Sequence, residues 1–270
     1  MVRPRWMLAG VLLAAVLLQV SPAVAGAPAN DVIGGAVTVD AIPFDHAQDT
    51  TEATTDDQDI QLNEICGAPA TDASVWFSFT PASDGNIMVD VSQSNYSAGV
   101  LVGTGSPGSL ELHTCGPQTV GFPVEAGTTY FILAIDDQFD GGGNGGQLEM
   151  TIDLPPPPPE VTLTVDPVAR LQRSTGAVDL RGTVTCVGEG VQFALIEGRL
   201  EQRVSGQILV GFFFTEFTCD GSTQPWGAKV APERGRFVQG GAVATANALA
   251  CTILDCGETS ATQRITIVRA

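Results

Sequence analysis

The run Val75-Trp76-Phe77-Ser78-Phe79-Thr80 decides the fold of the first half of this sequence. Every second residue in it is Val or Phe, and a period of two places successive side chains on opposite faces of a β-strand. The same alternation recurs at residues 87–91 and 148–152, whereas residues 128–135 are apolar on both faces, as a central strand would be. Turn-forming residues separate these runs, and no segment sustains a helical period for three turns. The pattern predicts a β-sandwich.

The second half of the chain alternates in the same way. Short runs at residues 161–165 and 178–186 are followed by two longer ones at residues 192–204 and 207–219. A length of about 110 residues suits an Ig-like sandwich. Within this half, Phe212-Phe213-Phe214 indicates either a strand that is buried on both faces or an exposed patch for a partner. We expect the buried strand.

Charge divides the chain at one point. Residues 26–154 contain nineteen Asp and Glu and no Lys or Arg, whereas residues 160–270 contain ten basic and eleven acidic residues, within a formal net charge of −18. Five consecutive prolines at residues 155–159 separate the halves, and such a run favours an extended polyproline II spacer over a loop packed against one domain. We therefore predict an acidic jelly-roll-like sandwich at residues 26–154, a polyproline linker at 155–159 and an Ig-like domain at 160–270.

Residues 1–25 have the organisation of an export signal. Arg3 and Arg5 precede an apolar run that ends at Val20, and this run is shorter than the ~20 residues that span a bilayer as a helix. The small residues Ala23-Val24-Ala25 then offer a cleavage site. We expect cleavage after Ala25 or Ala27 and a secreted, extracellular protein without a membrane span.

The six cysteines indicate disulfides. Two lie in the acidic domain and four in the second, so three pairings remain if each domain closes its own bonds. A zinc site formed by the last four is disfavoured, because that half has no Cys-x-x-Cys pair and no His. Among the three pairings we favour Cys66–Cys115, Cys186–Cys219 and Cys251–Cys256.

No catalytic motif accompanies the titratable residues. The two histidines, His46 and His113, have no nucleophile motif beside them, and no His-Glu-x-x-His or phosphate loop occurs. A glycosidase needs only two carboxylates, which nineteen acidic residues supply by chance. The acidic charge balance argues strongly against nucleic acid as a partner, because binding a polyphosphate requires a cationic surface. We predict a protein that is not an enzyme.

Calcium is the one cofactor that the acidic residues suggest. It takes six to eight hard oxygen ligands, and a Gly-rich loop offers Asp136, Asp137, Asp140 and Asn144. A second acidic cluster comprises Asp45, Asp49, Asp56, Asp57 and Asp59. Neither cluster matches the EF-hand pattern, so the alternative is a solvated acidic surface.

Several segments of the first domain occur in an order typical of one family. They are Asn30-Asp31, Ile42-Pro43-Phe44, Thr50-Thr51-Glu52-Ala53-Thr54-Thr55, Cys66, the run at 75–80, and Gly127-Thr128-Thr129-Tyr130-Phe131-Ile132. In these segments residues 30–154 resemble the bacterial pre-peptidase C-terminal domain family. The resemblance implies a jelly-roll-like sandwich with a non-catalytic role.

A second resemblance covers residues 160–270 and is weaker. Gly182-Thr-Val-Thr-Cys186, Cys219-Asp220-Gly221 and Trp226 are similar to an uncharacterised Ig-like module of secreted proteins from high-GC Gram-positive bacteria. That similarity implies no activity.

These features predict a secreted, non-enzymatic binding or accessory protein of the cell exterior, with an extracellular protein or polysaccharide as its target. The alternatives are a secreted hydrolase that uses a carboxylate pair and a structural protein of the envelope or matrix. A flat face with exposed aromatic residues, such as Tyr96 or Trp226, would favour binding. A cleft lined by paired carboxylates would favour the hydrolase.

Overall fold

The structure, a computed structural model, describes residues 26–270. The expected export signal at residues 1–25 lies outside the described residues. Seventeen strands, one α-helix and one turn of 3-10 helix make up the regular structure of the described part. The expected all-β sandwich fold is therefore confirmed, whereas the finer assignments jelly-roll-like and Ig-like stay predictions. Within residues 26–270, no helix has both the length and the apolar character needed to cross a membrane.

The first domain is built from two sheets. Its elements are the 3-10 helix (Ile33–Gly35), β1 (Val37–Val39), β2 (Phe44–Asp49), α1 (Asp57–Cys66), β3 (Asp72–Phe79), β4 (Gly85–Asp90), β5 (Ala98–Ser106), β6 (Ser109–Pro117), β7 (Thr119–Val124), β8 (Tyr130–Asp136) and β9 (Gln147–Asp153). A five-stranded sheet has the order β1-β3-β8-β5-β6, and a four-stranded sheet has the order β2-β9-β4-β7. Only β1 and β3 pair in parallel among these described strands.

The core between the two sheets follows the alternation of the sequence. Phe77 on β3, Val89 on β4 and Ile152 on β9 are all fully buried and belong to one cluster. Trp76 points to the opposite face of β3, and it is buried as well because α1 covers that face. The five-stranded sheet that contains β3 therefore forms the middle layer, between α1 on one face and the four-stranded sheet on the other.

Helix α1 begins and ends at well-defined caps. The Asp56 carboxylate accepts hydrogen bonds from the backbone N–H groups of Gln58 and Asp59, and the Asp59 carboxylate accepts one from the N–H of Asp56. This reciprocal arrangement is a capping box. At the other end Gly67 adopts a left-handed conformation (φ 76°) and donates to the carbonyl of Asn63. With 10 residues, the helix is too short to show a sustained helical period.

The second domain consists of one sheet that folds over on itself. Its strands are β10 (Glu160–Leu163), β11 (Val168–Leu171), β12 (Val178–Val187), β13 (Phe193–Val204), β14 (Gln207–Glu216), β15 (Thr223–Val230), β16 (Gly240–Cys251) and β17 (Cys256–Arg269). The main path runs β10-β12-β11-β17-β16-β13-β14, and β15 pairs with the other edge of β12. The folded sheet brings β14 close to β15 and encloses a core that includes Ile196, Leu200 and Trp226.

The triplet Phe212-Phe213-Phe214 is not buried on both faces. Phe213 is 7% exposed and stacks on Trp226 in the core, whereas Phe212 and Phe214 are 60% and 61% exposed. The expectation of a fully buried strand is therefore wrong. The reason is that β14 ends the path of the sheet, and no other layer covers its outer face within the described chain.

Three disulfides join the pairs that we favoured from the sequence. Cys66–Cys115 ties the end of α1 to β6, and Cys186–Cys219 ties β12 to the loop after β14. Cys251–Cys256 closes the turn between β16 and β17. All six cysteines are engaged, as in proteins of oxidising compartments.

The two domains meet at that disulfide-closed turn. A Cβ atom on Gly121, in β7, would lie 2.7 Å from Cγ of Leu254 in the turn, so the glycine makes room for the leucine. The linker also contacts the second domain, because Pro156 lies against Gly190, and Pro159 is buried. A packed loop describes these two prolines better than a free spacer does, while Pro157 and Pro158 are exposed.

Candidate functional site

The carboxylates of the predicted calcium loop are engaged in hydrogen bonds that shape the loop. Asp136 is almost fully buried and accepts from the backbone N–H groups of Gln138 (2.9 Å) and Gly145 (3.0 Å). Asp137 accepts from the Ser97 hydroxyl (2.6 Å) and from the N–H of Phe139 (2.9 Å). Both carboxylates thus stabilise turns by accepting from N–H and O–H donors.

The two remaining loop residues lie at the surface. Asp140 accepts from the N–H of Gly142 (2.8 Å), and Asn144 donates its backbone N–H to the Asp72 carboxylate (2.7 Å). Among residues 26–270, no group of three or more His, Cys, Asp or Glu side chains is arranged to hold a metal ion. Calcium binding by this loop stays a prediction.

The second acidic cluster is divided among different roles. Asp45 and Asp49 point to solvent from β2, Asp57 is exposed on α1, and Asp56 caps that helix. Asp59 alone is buried, and it accepts from Ser74 Oγ (2.6 Å) and Trp76 Nε1 (2.8 Å) as well as from the N–H of Asp56. Burial away from water raises the pKa of the Asp59 carboxyl to about 6, against the opposing effect of these hydrogen bonds. Asp59 anchors α1 to β3.

The histidines are packed against aromatic rings. His46 Nε2 lies 2.6 Å from Gln48 Oε1, and its ring stacks on Phe44 and meets the edge of Phe77. His113 Nε2 lies 3.2 Å from the carbonyl of Pro123. In the described chain, neither ring forms a hydrogen bond to a Ser or Cys side chain. The expectation that the chain is not an enzyme stays a prediction.

An uncovered aromatic face on the second domain is the strongest candidate for a functional site. Phe212 and Phe214 project from β14, and their cross-strand neighbours on β13 are Arg199 and Glu197. On β16, Thr245 lies opposite Arg199 and Asn247 lies opposite Glu197. We call these six residues the outer aromatic face. They line an open groove of about 420 Å³.

The core beneath this face determines its orientation. Gly198 leaves room for the ring of Phe213, because a Cβ there would lie 2.6 Å from Phe213 Cζ. The ring therefore turns inward and stacks on Trp226 with a centroid distance of 5.8 Å. Trp226 Nε1 donates to the carbonyl of Thr164 (2.9 Å), which fixes the indole. Since side chains alternate along a strand, an inward Phe213 forces its two neighbours outward.

The outer aromatic face borders a partly open strand edge. The carbonyl of Val210 accepts from the N–H of Glu233 (2.8 Å), so the backbone groups of Val210 point away from β13. In an antiparallel strand the backbone groups of every second residue point to the same side. The N–H and C=O groups of Phe212 and Phe214 therefore also point away from β13, toward the open edge of the sheet. Unpaired edge groups of this kind are a template for an additional strand.

One ion pair joins Arg199 of the outer aromatic face to Glu201, further along β13. Arg199 Nε lies 2.9 Å from Glu201 Oε1, and both side chains are exposed. An exposed pair of this type contributes ~0.2–1 kcal/mol, so it adds little to the stability of the domain.

The sequence indicated part of this site. It identified the aromatic triplet, and it named Tyr96 and Trp226 as aromatic residues whose exposure on a flat face would favour binding. Trp226 is in the core, and Tyr96 is only partly exposed, with a buried hydroxyl whose pKa is raised to about 12 by burial. Strand alternation predicts that the side chain of Phe213 lies on the opposite face of the strand from those of Phe212 and Phe214. It does not predict which of the two faces is buried.

Comparisons with known proteins identify no family. No protein-family model matches the chain, and no curated protein matches it. Among solved structures, it is similar to a Parabacteroides merdae β-glucuronidase at 11% identity (72% of this chain, 27% of that chain, TM-score 0.25). It is also similar to fibronectin(III)-like modules of Clostridium thermocellum CbhA at 16% identity (71% and 89%, TM-score 0.27).

A β-galacturonidase from Eisenbergiella tayi is similar at 13% identity (69% and 34%, TM-score 0.20). The chain thus spans about a quarter to a third of the length of the two glycosidases. At these identities and TM-scores the likenesses carry no argument about function.

Proposed function

We propose that this chain is a secreted, non-enzymatic protein of the cell exterior that binds an extracellular protein through its outer aromatic face. The observation that carries the proposal is the exposure of Phe212 and Phe214, 60% and 61%, side by side on one strand. Scattered exposed apolar residues are ordinary, but adjacent exposed aromatic rings mark interaction sites.

The composition of the face favours a protein as the target. Interfaces between proteins are enriched in aromatic residues and Arg, and the face combines two Phe rings with Arg199. The edge groups of β14 can also accept an extended segment as an added strand, with Phe212 and Phe214 contacting its side chains. A polysaccharide is the second candidate that we expected from the sequence, and it is an outcome of the test below.

Secretion is supported by the three disulfides and by the organisation of residues 1–25. A non-catalytic role is supported by the histidines, whose rings pack against aromatic residues, and by the carboxylates of the loop at 136–144, which accept hydrogen bonds within the loop. The resemblance of residues 30–154 to the pre-peptidase C-terminal domain family implies the same role.

The test is selection of linear peptides on the immobilised chain, followed by affinity measurement with the best peptide. The double variant Phe212→Ser/Phe214→Ser should weaken binding by at least ~tenfold, which corresponds to about 1.4 kcal/mol. Phe139→Ser is the matched control, because Phe139 is 80% exposed on the first domain. Equal affinity of the double variant and the control would refute the proposal.

The same variants distinguish a polysaccharide target. In affinity electrophoresis through soluble polysaccharides, the unmodified chain should migrate as it does without polysaccharide. Retardation that the double variant loses would show that the face binds glycan, and the proposed target class would then be wrong.

A further inference from the structure

The nearly neutral charge balance of the second domain conceals a separation of charge between its two ends. The near end adjoins the first domain, where Leu254 meets Gly121 and Pro156 meets Gly190. The far end is the opposite one, where β11, β13, β15 and β17 end and β12, β14 and β16 begin. The register of the strands assigns every charged residue to one end or to the middle.

The far end is basic and the near end is acidic. Seven of the ten basic residues of this domain belong to the far end, namely Arg170, Arg173, Arg203, Lys229, Arg234, Arg236 and Arg269, against two acids, Asp179 and Glu233. The near end has six acids and no basic residue, namely Glu160, Glu189, Glu216, Asp220, Asp255 and Glu258. The middle is balanced.

The basic groups of the far end are exposed and form no ion pair within the described residues, although Asp179 lies opposite Arg170 and Lys229 on the neighbouring strands. All seven side chains are exposed, and the one ion pair within residues 26–270 is that of Arg199 with Glu201, in the middle of the domain. Arg236 Nη2 donates to the carbonyls of Arg173 (2.7 Å) and Ser174 (2.8 Å), and Arg269 Nε donates to Gln239 Oε1 (2.9 Å). These hydrogen bonds hold two guanidinium groups beside an open groove of about 400 Å³, which Arg173 also lines.

The first domain provides a surface of opposite charge. It carries nineteen acidic residues without one Lys or Arg. Eleven of them are exposed: Asp40, Asp45, Asp49, Glu52, Asp57, Glu64, Asp84, Glu111, Glu125, Asp140 and Glu149. Guanidinium groups bind carboxylates with charge-assisted, often bidentate hydrogen bonds.

We propose that the basic far end docks on the acidic first domain of a second copy of this chain. Such a contact joins two different surfaces, so each copy retains one free acidic domain and one free basic end. The contact therefore propagates head to tail and does not close into a symmetric dimer. This inference is independent of the outer aromatic face.

Ionic strength should control this association. The two mature copies repel each other through their strongly negative net charge, and the opposite charges attract only at contact. At about 0.15 M salt the Debye length is ~8 Å, which screens the net repulsion and preserves the attraction between touching groups. At about 1 M it is ~3 Å, and the contact should be lost.

Sedimentation velocity of the full mature chain tests the proposal. We expect concentration-dependent dimers and larger species at about 0.15 M salt and a monomer at about 1 M. The variant Arg203→Glu/Arg234→Glu should weaken the association at least ~tenfold, about 1.4 kcal/mol. These two side chains are exposed at the far end and form no side-chain hydrogen bond within the described residues.

Arg181→Glu/Arg264→Glu is the matched control, because it makes the same change of net charge at exposed positions in the middle of the domain. It should associate as the unmodified chain does. Equal weakening by both variants would mean that net charge alone matters, and a monomer at every salt concentration would mean that the contact does not form. Association that persists at about 1 M salt and disappears in Phe212→Ser/Phe214→Ser would assign it to the outer aromatic face. Each of these three results would overturn the proposal.

Discussion

Replacing Asp59 by Ala should destabilise the first domain by removing the acceptor that joins α1 to β3. The substitution leaves Trp76 Nε1 without its partner, and Trp76 is fully buried. An unpaired buried donor costs ~1–3 kcal/mol. Loss of the capping box at Asp56 adds about 1 kcal/mol. Without Asp59, the single O–H of Ser74 can donate to the carbonyl of Thr54 (2.7 Å) instead, so the loss of the Ser74–Asp59 hydrogen bond costs little.

The expected total is roughly 2–4 kcal/mol. For a domain of this size each kcal/mol lowers Tm by roughly 3–5 °C. Asp59→Asn is the matched control, because its amide oxygen can accept from Trp76 Nε1 and its amide N–H can donate to Ser74, whereas its amide nitrogen cannot accept from the N–H of Asp56. It should lose about 1 kcal/mol at low pH, through the capping box alone.

The pH dependence gives a second readout. The pKa of Asp59 is about 6 in the folded domain and 3.8 without the fold, so the folded state binds this proton more tightly. Its contribution to stability is therefore complete below pH 3.8 and is lost as pH rises through about 6. Asn cannot titrate, so the Tm of Asp59→Asn relative to the unmodified chain should rise over that interval and stay constant above it.

Thermal unfolding followed by circular dichroism between pH 4 and 8 measures both effects. Equal Tm values for Asp59→Ala and Asp59→Asn would refute the role of the buried acceptor. A difference between Asp59→Asn and the unmodified chain that does not change with pH would refute the raised pKa.

Three further predictions concern the domain contact, the first disulfide and the acidic loop. Gly121→Val should displace Leu254 and separate the domains, which small-angle scattering would detect as a larger radius of gyration; an unchanged radius would contradict the contact. Replacing Cys66 and Cys115 by Ser should lower the free energy of unfolding by about 4 kcal/mol, because that disulfide closes a loop of 49 residues, and chemical denaturation that shows less than ~1 kcal/mol would contradict it. Asp136→Asn should lower the Tm of the first domain even with chelator present, because the carboxylate accepts from two N–H groups. Calcium should raise the Tm of the unmodified chain above that in sodium of matched ionic strength, and equal values would exclude a calcium site.

The sequence predicted those parts of the fold that depend on local patterns. Alternation located β3, β4 and β9, because one face of each strand must be apolar to pack in the core. The division of cysteines between the domains limited the pairings to three, and the favoured one occurs. Helix α1 was not predicted, because its stability comes from caps and from packing on β3 rather than from a periodic pattern.

The candidate site depends on how the strands are arranged in three dimensions, which the sequence does not show directly. Alternation separates Phe213 from its neighbours, but the exposure of Phe212 and Phe214 follows from the lack of any layer over the outer face of β14 within the described residues. The separation of basic and acidic residues between the two ends of the second domain also does not appear in their order along the sequence. Antiparallel strands carry successive loops to opposite ends, so residues as distant in sequence as Arg173 and Arg269 come to line one groove.

The contact between Leu254 and Gly121 has a thermodynamic consequence for recognition. Two domains joined only by a tether must give up relative rotation and translation before one target can touch both of them. Here the disulfide-closed turn and the packed prolines have already restricted that freedom during folding. A target that contacts both the four-stranded sheet and the second domain would therefore bind two domains whose relative position is already fixed. It would avoid the entropy loss that a flexible tether would impose.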